Sequence, residues 1–272
     1  MIWMTLLKEL WMFLMKRLNN LKYYYDVLSV LIYKEWIVKY KGTYLGYIWS
    51  IAHPLILAVV YYIGFKIVMK VPIKNYTLFL IVALFPWQWF TNTISTGTWS
   101  FVANAVLLKK TLFPKYLLPL ANNIVDMIHF LIAIPIIILF LYIYNMPIFH
   151  LSWIFLLPLL LFLQLLLNFS LVLIFGTLNL FYRDIDRLVS LFLTLLIYIS
   201  PVFYSIDLVP KNLREYFYLN PLVPMINMWR DMFYYGTIQY KDLFVLMIEL
   251  CVILGLSFYI YKKYSPYFAE RS

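Results

Sequence analysis

Long apolar runs alternate with short polar breaks along this chain. Six runs stand out, at residues 47–68, 76–94, 117–144, 153–181, 188–205 and 243–261. A helix needs roughly 20 apolar residues to cross the hydrocarbon core of a bilayer. The pattern therefore predicts an all-α integral membrane protein with six transmembrane helices. Pro54, Pro86, Pro135, Pro158 and Asn168 fall inside the runs. Membrane helices tolerate such residues, because neighbouring helices and water re-satisfy the freed backbone groups. No loop is long enough to fold separately, so residues 1–272 are expected to form a single transmembrane domain.

Two segments break the pattern. Residues 22–41, "KYYYDVLSVLIYKEWIVKYK", are compatible with a helix that ends before Gly42. At helical spacing Val27, Leu31 and Val38 share a side, while Asp26, Ser29 and Tyr33 lie on another, with Ile32 and Trp36 near the polar side. This predicts an amphipathic helix lying along the inner membrane surface; a solvated linker is the alternative. Residues 206–242 are aromatic and apolar but broken by Pro210, Pro221 and Pro224. They are too short for two further spans of roughly 20 residues each. Two short external re-entrant helices joined at Asn220–Pro221 fit, provided protein covers the exposed backbone of the turn. An external loop lying on the membrane is the alternative.

Composition strengthens the membrane reading. The chain is 65% hydrophobic and 12% charged, with a mean hydropathy of +0.84. Soluble domains are about 45–50% apolar and about 25% charged. The net charge of +10 would point to nucleic acid in a soluble protein. Here the basic residues sit beside apolar runs, so topology accounts for them and no nucleic-acid partner is implied. With a cytoplasmic N-terminus the inner set is Lys8, Lys16, Arg17, Lys22, Lys34, Lys39, Lys41, Lys109, Lys110, Lys115, Arg183, Arg187, Lys262, Lys263 and Arg271, fifteen in all. The outer set is Lys66, Lys70, Lys74, Lys211, Arg214, Arg230 and Lys241. The excess inside predicts a multi-pass protein of the cytoplasmic membrane with both termini in the cytoplasm. The first 20 residues carry Lys8, Glu9, Lys16 and Arg17 and lack a small-residue cleavage site, so they do not read as a signal peptide. The single cysteine, Cys251, reads as an apolar packing residue.

Enzymatic signals are weak. None of the seven glycines builds a phosphate-binding loop, the histidines His53, His129 and His150 are scattered, and no serine sits in G-x-S-x-G. The segment "RDIDR" places Asp184 and Asp186 two apart, as in metal-dependent sugar transferases. Each carboxylate has an arginine beside it, Arg183 or Arg187, and the motif fills the gap between two runs. A cytoplasmic turn with an acidic helix start, which the helix dipole favours, competes with the metal site and is preferred. Inside the runs lie Asn122, Asn123, Asp126, His129, Gln164, Asn168 and Glu249. Intramembrane polar residues mark a transport path or proton relay, or else tie helices together by hydrogen bonds; for Asp126 both readings stay open. The stretch "FPWQWFTNTISTGTW", residues 85–99, mixes Trp with hydroxyls and amides. Aromatic faces stack on sugar rings and hydroxyls meet sugar OH groups, so Trp87, Trp89, Phe90 and Trp99 are candidates for a glycan path. An interfacial aromatic belt is the alternative.

An ordered set of motifs spans nearly the whole chain. It comprises "VKYKGTYLGYIWSIAHPL" (38–55), "LLKKTLFPKYLLPLANNIVD" (107–126), "LNLFYRDIDRLV" (178–189), "YISPVFYSIDLVPKNLREYFYLNPLVPMINMWRDMFYYG" (198–236) and "SPYFAE" (265–270). In this order the chain resembles the permease subunits of ABC-2 type transporters that export polysaccharides: O-antigen first, with capsule or teichoic acid as alternatives. The resemblance implies a non-enzymatic half-transporter. A second copy would complete the pathway for a lipid-linked polysaccharide. Two separate ATP-binding cassette subunits would use ATP and magnesium, with no cofactor bound by this chain. It also implies that the interface helix and the 109–115 loop, through Lys34, Lys39, Lys41, Lys109, Lys110 and Lys115, dock the ATPase. Residues 206–242 would close the outer mouth. An ABC-2 permease for a drug or small lipid, and a membrane glycosyltransferase using Asp184 and Asp186, remain as rival expectations.

Overall fold

Hydrophobic burial and helical hydrogen bonding dominate the architecture. The computed structural model describes residues 21–39, 41, 48–110 and 113–271, and no strand occurs among them. Helix α1 covers 21–39 and α2 covers Ile48–Tyr61, which continues as a π-helical turn over Tyr62–Val68. Helix α3 (Tyr76–Thr98) is followed by the short α4 (Ser100–Ala103) and α5 (Ala105–Lys110). The long α6 (Leu117–Ile143) and α7 (Trp153–Phe181) come next, then α8 (Ile185–Ile199), α9 (Lys211–Phe217) and α10 (Leu222–Tyr235). Helix α11 (Tyr240–Tyr264) leads into the terminal α12 (Phe268–Arg271). The N-terminal Lys8, Lys16 and Arg17, and residues 42–47, lie outside the described residues.

Among the described residues four helices, α3, α6, α7 and α11 with its continuation, are long and apolar enough to cross a membrane. The fifth apolar run departs from expectation. Its helix starts earlier, at Ile185, and stops at Ile199, where Ser200 turns to extended backbone before Pro201. A residue before proline is pushed out of the α region. The resulting 15 residues span about 22 Å at 1.5 Å per residue, short of the roughly 30 Å of hydrocarbon.

Helix α3 is the inner pillar. In its most apolar window 78% of residues are buried, against 17% for α11, so the apolar face of α11 is left to meet lipid. The crossing of α3 and α7 is close: a Cβ added at Gly97 would lie 2.5 Å from Val172 Cγ1, and one at Gly176 would lie 3.1 Å from the Gly97 carbonyl. Small residues at such crossings let membrane helices approach. The main core runs through α3, α6, α7, α10 and α11. A second cluster joins Leu31 of α1 to Phe101, Leu118, Leu173 and Phe268, so α1 and the C-terminal segment share one anchor.

The rotation of α1 corrects the expected face. Leu31 is buried and Ile32 and Trp36 are half-buried, whereas Val38 is 57% exposed. Trp36 stacks on His129 with ring centroids 5.2 Å apart. This contact, with the lysine contacts described below, draws the Trp36 side inward. Val30, Tyr33, Ile37 and Val38 are left facing out.

Helices α9 and α10 meet at a corner around Asn220–Pro221. Asn220 donates to Ser200 Oγ (3.0 Å) and accepts from the Leu222 amide (3.1 Å). Helix α10 is sunk into the bundle: Met225, Ile226, Met228, Trp229, Met232 and Phe233 are buried. Gly236 ends it with φ +65 over the His150 ring.

Candidate functional site

The mixed stretch of α3 separates cleanly once wound into a helix. Trp87, Trp89 and Phe90 turn into the core, at 5%, 2% and 1% exposure. Trp89 stacks on Phe130 and donates its indole N–H to Asn123 Oδ1 at 3.1 Å. On the opposite side Gln88, Thr91, Asn92, Ser95, Thr96 and Trp99 form a half-buried to exposed stripe. The stripe is hydrogen-bonded along its length. His53 Nδ1 lies 2.9 Å from Gln88 Oε1, Gln88 Nε2 donates to Asn92 Oδ1 at 2.6 Å, and Asn122 of α6 donates to Thr96 Oγ1 at 2.8 Å. Of the expected path residues only Trp99, 39% exposed, lies on this outward face. Glutamine, Asn and Thr at positions 88, 92 and 96 recur every four residues, a spacing already visible in the sequence.

Asp126 backs the middle of the stripe, on the buried side of α3. Its carboxylate is 1% exposed and accepts from the Lys39 ammonium of α1 and from Thr93 Oγ1 (3.0 Å) of α3. His129 Nδ1 stands 3.4 Å from Lys39 Nζ and 3.9 Å from the carboxylate. A buried carboxylate needs such a partner, because an isolated charge in a low-dielectric interior costs several kcal/mol. Five residues earlier, Lys34 donates to Asn104 Oδ1 at 2.5 Å and to Glu35 at 2.8 Å. Between these two contacts lies a cavity of about 390 Å³, lined by residues including Lys34, Lys39, Thr96, Asn104 and Asn122. Asn123 was among the intramembrane polar residues expected from the sequence, whereas Thr93 and Asn104 were not singled out, since nothing in their local spacing marks the partner each one meets.

The six docking candidates divide. Lys34 and Lys39 are turned onto their own bundle. Lys115 donates to the Ser265 carbonyl (3.4 Å) and lies 5.4 Å above the Phe268 ring. Lys41 and Lys109 project into solvent. The Lys110 side chain lies outside the described residues.

The segment of Arg183, Asp184, Asp186 and Arg187 forms the tight turn into α8. Asp184 is its N-cap residue, without a side-chain capping bond, and the Asp186 amide donates to Asn179 Oδ1 at 3.2 Å. Arg183, Asp184 and Arg187 are exposed. No three His, Cys, Asp or Glu come together in metal-binding array among the described residues.

A polar node ties the middle of the bundle. Gln164, which lies eleven residues into α7 and so about 17 Å along its axis, donates to the Pro86 carbonyl at 2.8 Å. It accepts the indole N–H of Trp229 at 2.6 Å. Next to Trp229, the buried Arg230 donates to the carbonyls of Pro201 (2.5 Å) and Val202 (2.7 Å) and stacks 3.6 Å over Phe79. Burial pulls its guanidinium down to about 9. Burial, and then the Asp242 carboxylate, push Asp231 up to about 6. Asn168 is buried with both side-chain polar atoms lacking a hydrogen-bond partner.

Comparison with known proteins places this arrangement. Residues 9–234 match the model of the ABC-2 type transporter family. A Klebsiella pneumoniae protein named O-antigen export system permease protein RfbA is 44% identical over 253 residues, 92% of this chain and 96% of that protein. A second Klebsiella pneumoniae protein of the same name is 43% identical over 94% of this chain and 98% of its own length. A Myxococcus xanthus protein of that name is 26% identical over 94% and 99%. With several apolar helices of spanning length, a family match over most of its residues and relatives alike from end to end, this chain belongs to the ABC-2 type transporter family of membrane proteins.

Proposed function

We propose that this chain is the permease subunit of an ATP-driven exporter that carries a lipid-linked polysaccharide, O-antigen, across the cytoplasmic membrane. It acts as a homodimer on two separate ATP-binding cassette subunits, which use ATP and magnesium; the permease itself changes no covalent bond and binds no cofactor. Residues 1–272 form one transmembrane domain with both termini in the cytoplasm. Six apolar segments, at 47–68, 76–94, 117–144, 153–181, 188–205 and 243–261, complete it, and in the fifth the short helix Ile185–Ile199 finishes its passage through the corner at Ser200–Pro201. Helix α1 lies on the inner surface and α9–α10 re-enter from outside.

The observation that carries this reading is the polar stripe of α3. Its amides and hydroxyls bond to one another and to His53 and Asn122, yet Ser95, Thr96 and Trp99 stay exposed; polar faces in spanning helices turn to protein or a water-filled path, so this face meets a second copy across a watery conduit. Trp99 at its inner end offers a ring face to a sugar, and the amides and hydroxyls offer donors and acceptors to its OH groups. The relatives named as O-antigen export permeases support the cargo. The exposed Lys41 and Lys109 remain available to an ATPase or to anionic headgroups, which juxtamembrane basic residues attract. Lys34, Lys39 and Lys115 serve instead to fix the platform the ATPase pushes on.

The test is to delete the gene and follow glycan made and glycan displayed separately. Export predicts that polymer accumulates inside while the surface loses it, and that Asp184→Ala with Asp186→Ala leaves synthesis intact. Loss of polymer synthesis in that double variant would favour a glycosyltransferase. Normal surface glycan in the deletion would overturn the reading. A cysteine scan in a Cys251→Ser background adds a local check. Cysteines at Asn92, Ser95 and Thr96 should react with a water-soluble thiol reagent, and cysteine at Leu80 or Ile81, both buried, should not.

A further inference from the structure

The corner between α10 and α11 holds two carboxyl groups that the exporter reading does not use. Asp231 lies near the C-terminal end of α10, and Asp242 lies in the first turn of α11. Only residues 236–239 separate the two helices. Gly236 makes the bend with φ +65. The amides of Gly236 and Thr237 donate to the Met232 carbonyl (3.0 Å) and the Asp231 carbonyl (3.5 Å).

No cation neutralises this corner. Asp242 is 0% exposed and Asp231 is half-buried. Among the described residues no Lys, Arg or His nitrogen lies within 4 Å of either carboxylate. The nearest cations are turned elsewhere. Arg230 holds the Pro201 and Val202 carbonyls and stacks on Phe79. Arg214 donates to the Val209 and Asp207 carbonyls and stands 3.6 Å from the Asp207 carboxylate. Lys241, beside Asp242, sits 4.5 Å over the Tyr218 ring. The polar neighbours are Gln239 for Asp231, and Tyr218 and Asn227 for Asp242. His150, ahead of α7, faces Gly236. The remaining ionisable groups on α10, Tyr234 and Tyr235, are phenols, which do not titrate in acid.

Two close carboxylates without a cation between them do not both ionise freely, since the first charge opposes the second. The helix ends decide which one keeps the proton. A helix dipole disfavours negative charge near the C-terminal end, where Asp231 stands, and favours it in the first turn, where Asp242 stands. Burial and the Asp242 charge together push Asp231 up to about 6. The closed corner therefore binds a proton more tightly than an opened one, where water returns Asp231 toward the ordinary 3.8. Closure is fullest near pH 4 and is lost as pH rises to about 6.

We propose that Asp231 and Asp242 form a clasp on the outer corner that acid closes. With a proton on Asp231, α10 and α11 hold together at Gly236; once Asp231 ionises, two charges face each other and the corner loosens. This rests on the exporter reading and adds its regulation: acidity outside the membrane holds the outer segment shut and slows release of the emerging chain.

The test follows hydrogen exchange of the full-length permease in nanodiscs from pH 4.5 to 7.5, each amide referred to an unstructured peptide at the same pH. Protection across residues 232–240 should fall about tenfold over this range, less than the full linkage of the shift allows because Asp231 is partly hydrated. Asp231→Asn, neutral throughout, should keep its acid-side protection at every pH. Asp242→Asn should move the fall to lower pH, and His150→Gln should leave it in place. No fall in the unmodified protein, a fall that survives Asp231→Asn, or a fall that His150→Gln removes overturns the inference. In cells, newly made glycan should reach the surface more slowly at external pH 5 than at pH 7.5, and Asp231→Asn should show the slow rate at both. Equal rates in the unmodified strain overturn the regulatory role. Those failures leave the exporter reading standing if the deletion strain still traps polymer inside. Normal surface glycan in the deletion sinks the exporter reading whatever the exchange gives.

Discussion

Replacing Lys39 with methionine tests how α1 is fastened to the bundle. The Asp126 carboxylate is 1% exposed, and its two partners are the Lys39 ammonium and the Thr93 hydroxyl. Two unit charges about 4 Å apart attract by ~4 kcal/mol at an effective dielectric constant of about 20. Deleting one member of a buried pair costs about 3–5 kcal/mol, because the survivor is stranded without water. The Lys39 side chain keeps 30% of its surface exposed, so solvent already screens part of that field. The expected loss for Lys39→Met is therefore lower, about 2–3 kcal/mol. Asp126→Asn keeps an acceptor for Thr93 and leaves a lysine that can hydrate, at a cost of about 1–2 kcal/mol.

The double variant carries no stranded charge. It should be no less stable than Lys39→Met alone, which corresponds to a coupling of about 1–2 kcal/mol. Denaturant unfolding in detergent, followed by tryptophan fluorescence, reads all four corners of the cycle. Limited proteolysis supplies a local readout, since Lys39→Met should release α1 before the bundle melts. If the two single losses sum to the double loss within about 0.5 kcal/mol, the pair does not hold α1 and the reasoning fails.

Three further outcomes are expected. Gly97→Ala should destabilise by about 1–3 kcal/mol, since its new methyl would stand 2.5 Å from Val172 Cγ1; adding Val172→Ala should recover part of the loss in the same unfolding assay. Gln164→Leu strands the buried Trp229 indole N–H, with an expected loss of about 1–3 kcal/mol and faster cleavage of α10 in limited proteolysis. Asp231 holds its proton to about pH 6 in the folded outer segment, above the ordinary 3.8. The folded state therefore binds more protons between these values, and stability falls as pH rises from about 4 to 6; Asp231→Asn should flatten that slope in thermal melts across pH.

Much of the helical content was legible because apolar runs and their polar breaks follow directly from the thickness of the bilayer. The run at 153–181 became a helix with the same limits. The fifth run was misjudged because apolar character continues through "SPVFY" while the backbone does not: Pro201 turns the chain, and the carbonyls of residues 201 and 202 pair with Arg230 instead. Hydropathy reports which residues avoid water and says nothing of where a backbone donor is missing. The face of α1 was misjudged for a related reason. Spacing put Val38 on the same apolar side as Val27 and Leu31, whereas pairing with Asp126 and His129 turned Lys39 and Trp36 inward. Long-range partners of that kind leave no trace in local sequence. The stripe on α3 lay between these extremes. Its composition was visible, but tryptophans were read as the exposed partners when helical winding buries three of the four large aromatics and exposes the amides and hydroxyls.

These contacts also bear on how motion could cross the bundle. Beginning at the inner surface, Lys39 meets Asp126 and Asp126 meets Thr93 on α3. One turn further along α3, Trp89 reaches Asn123 on α6. Three residues beyond, the Pro86 carbonyl takes the Gln164 amide, whose oxygen takes Trp229 of α10. The adjoining Arg230 grips the corner after α8. Helix α3 is thus a rod with rungs at 93, 89 and 86, each joined to a different part of the bundle, and it carries the polar stripe on its free side. On the exporter reading, a push on α1 delivered to this rod moves the conduit wall and the outer corner together. Energetic coupling over such a distance requires an element with two discrete arrangements, and the close Gly97–Val172 crossing makes α3 a poor candidate to bend. Rigid tilting of α3 as a whole is the motion these contacts favour. A disulfide fastening α3 to α7 should then block export while leaving ATP hydrolysis by the partner subunits intact.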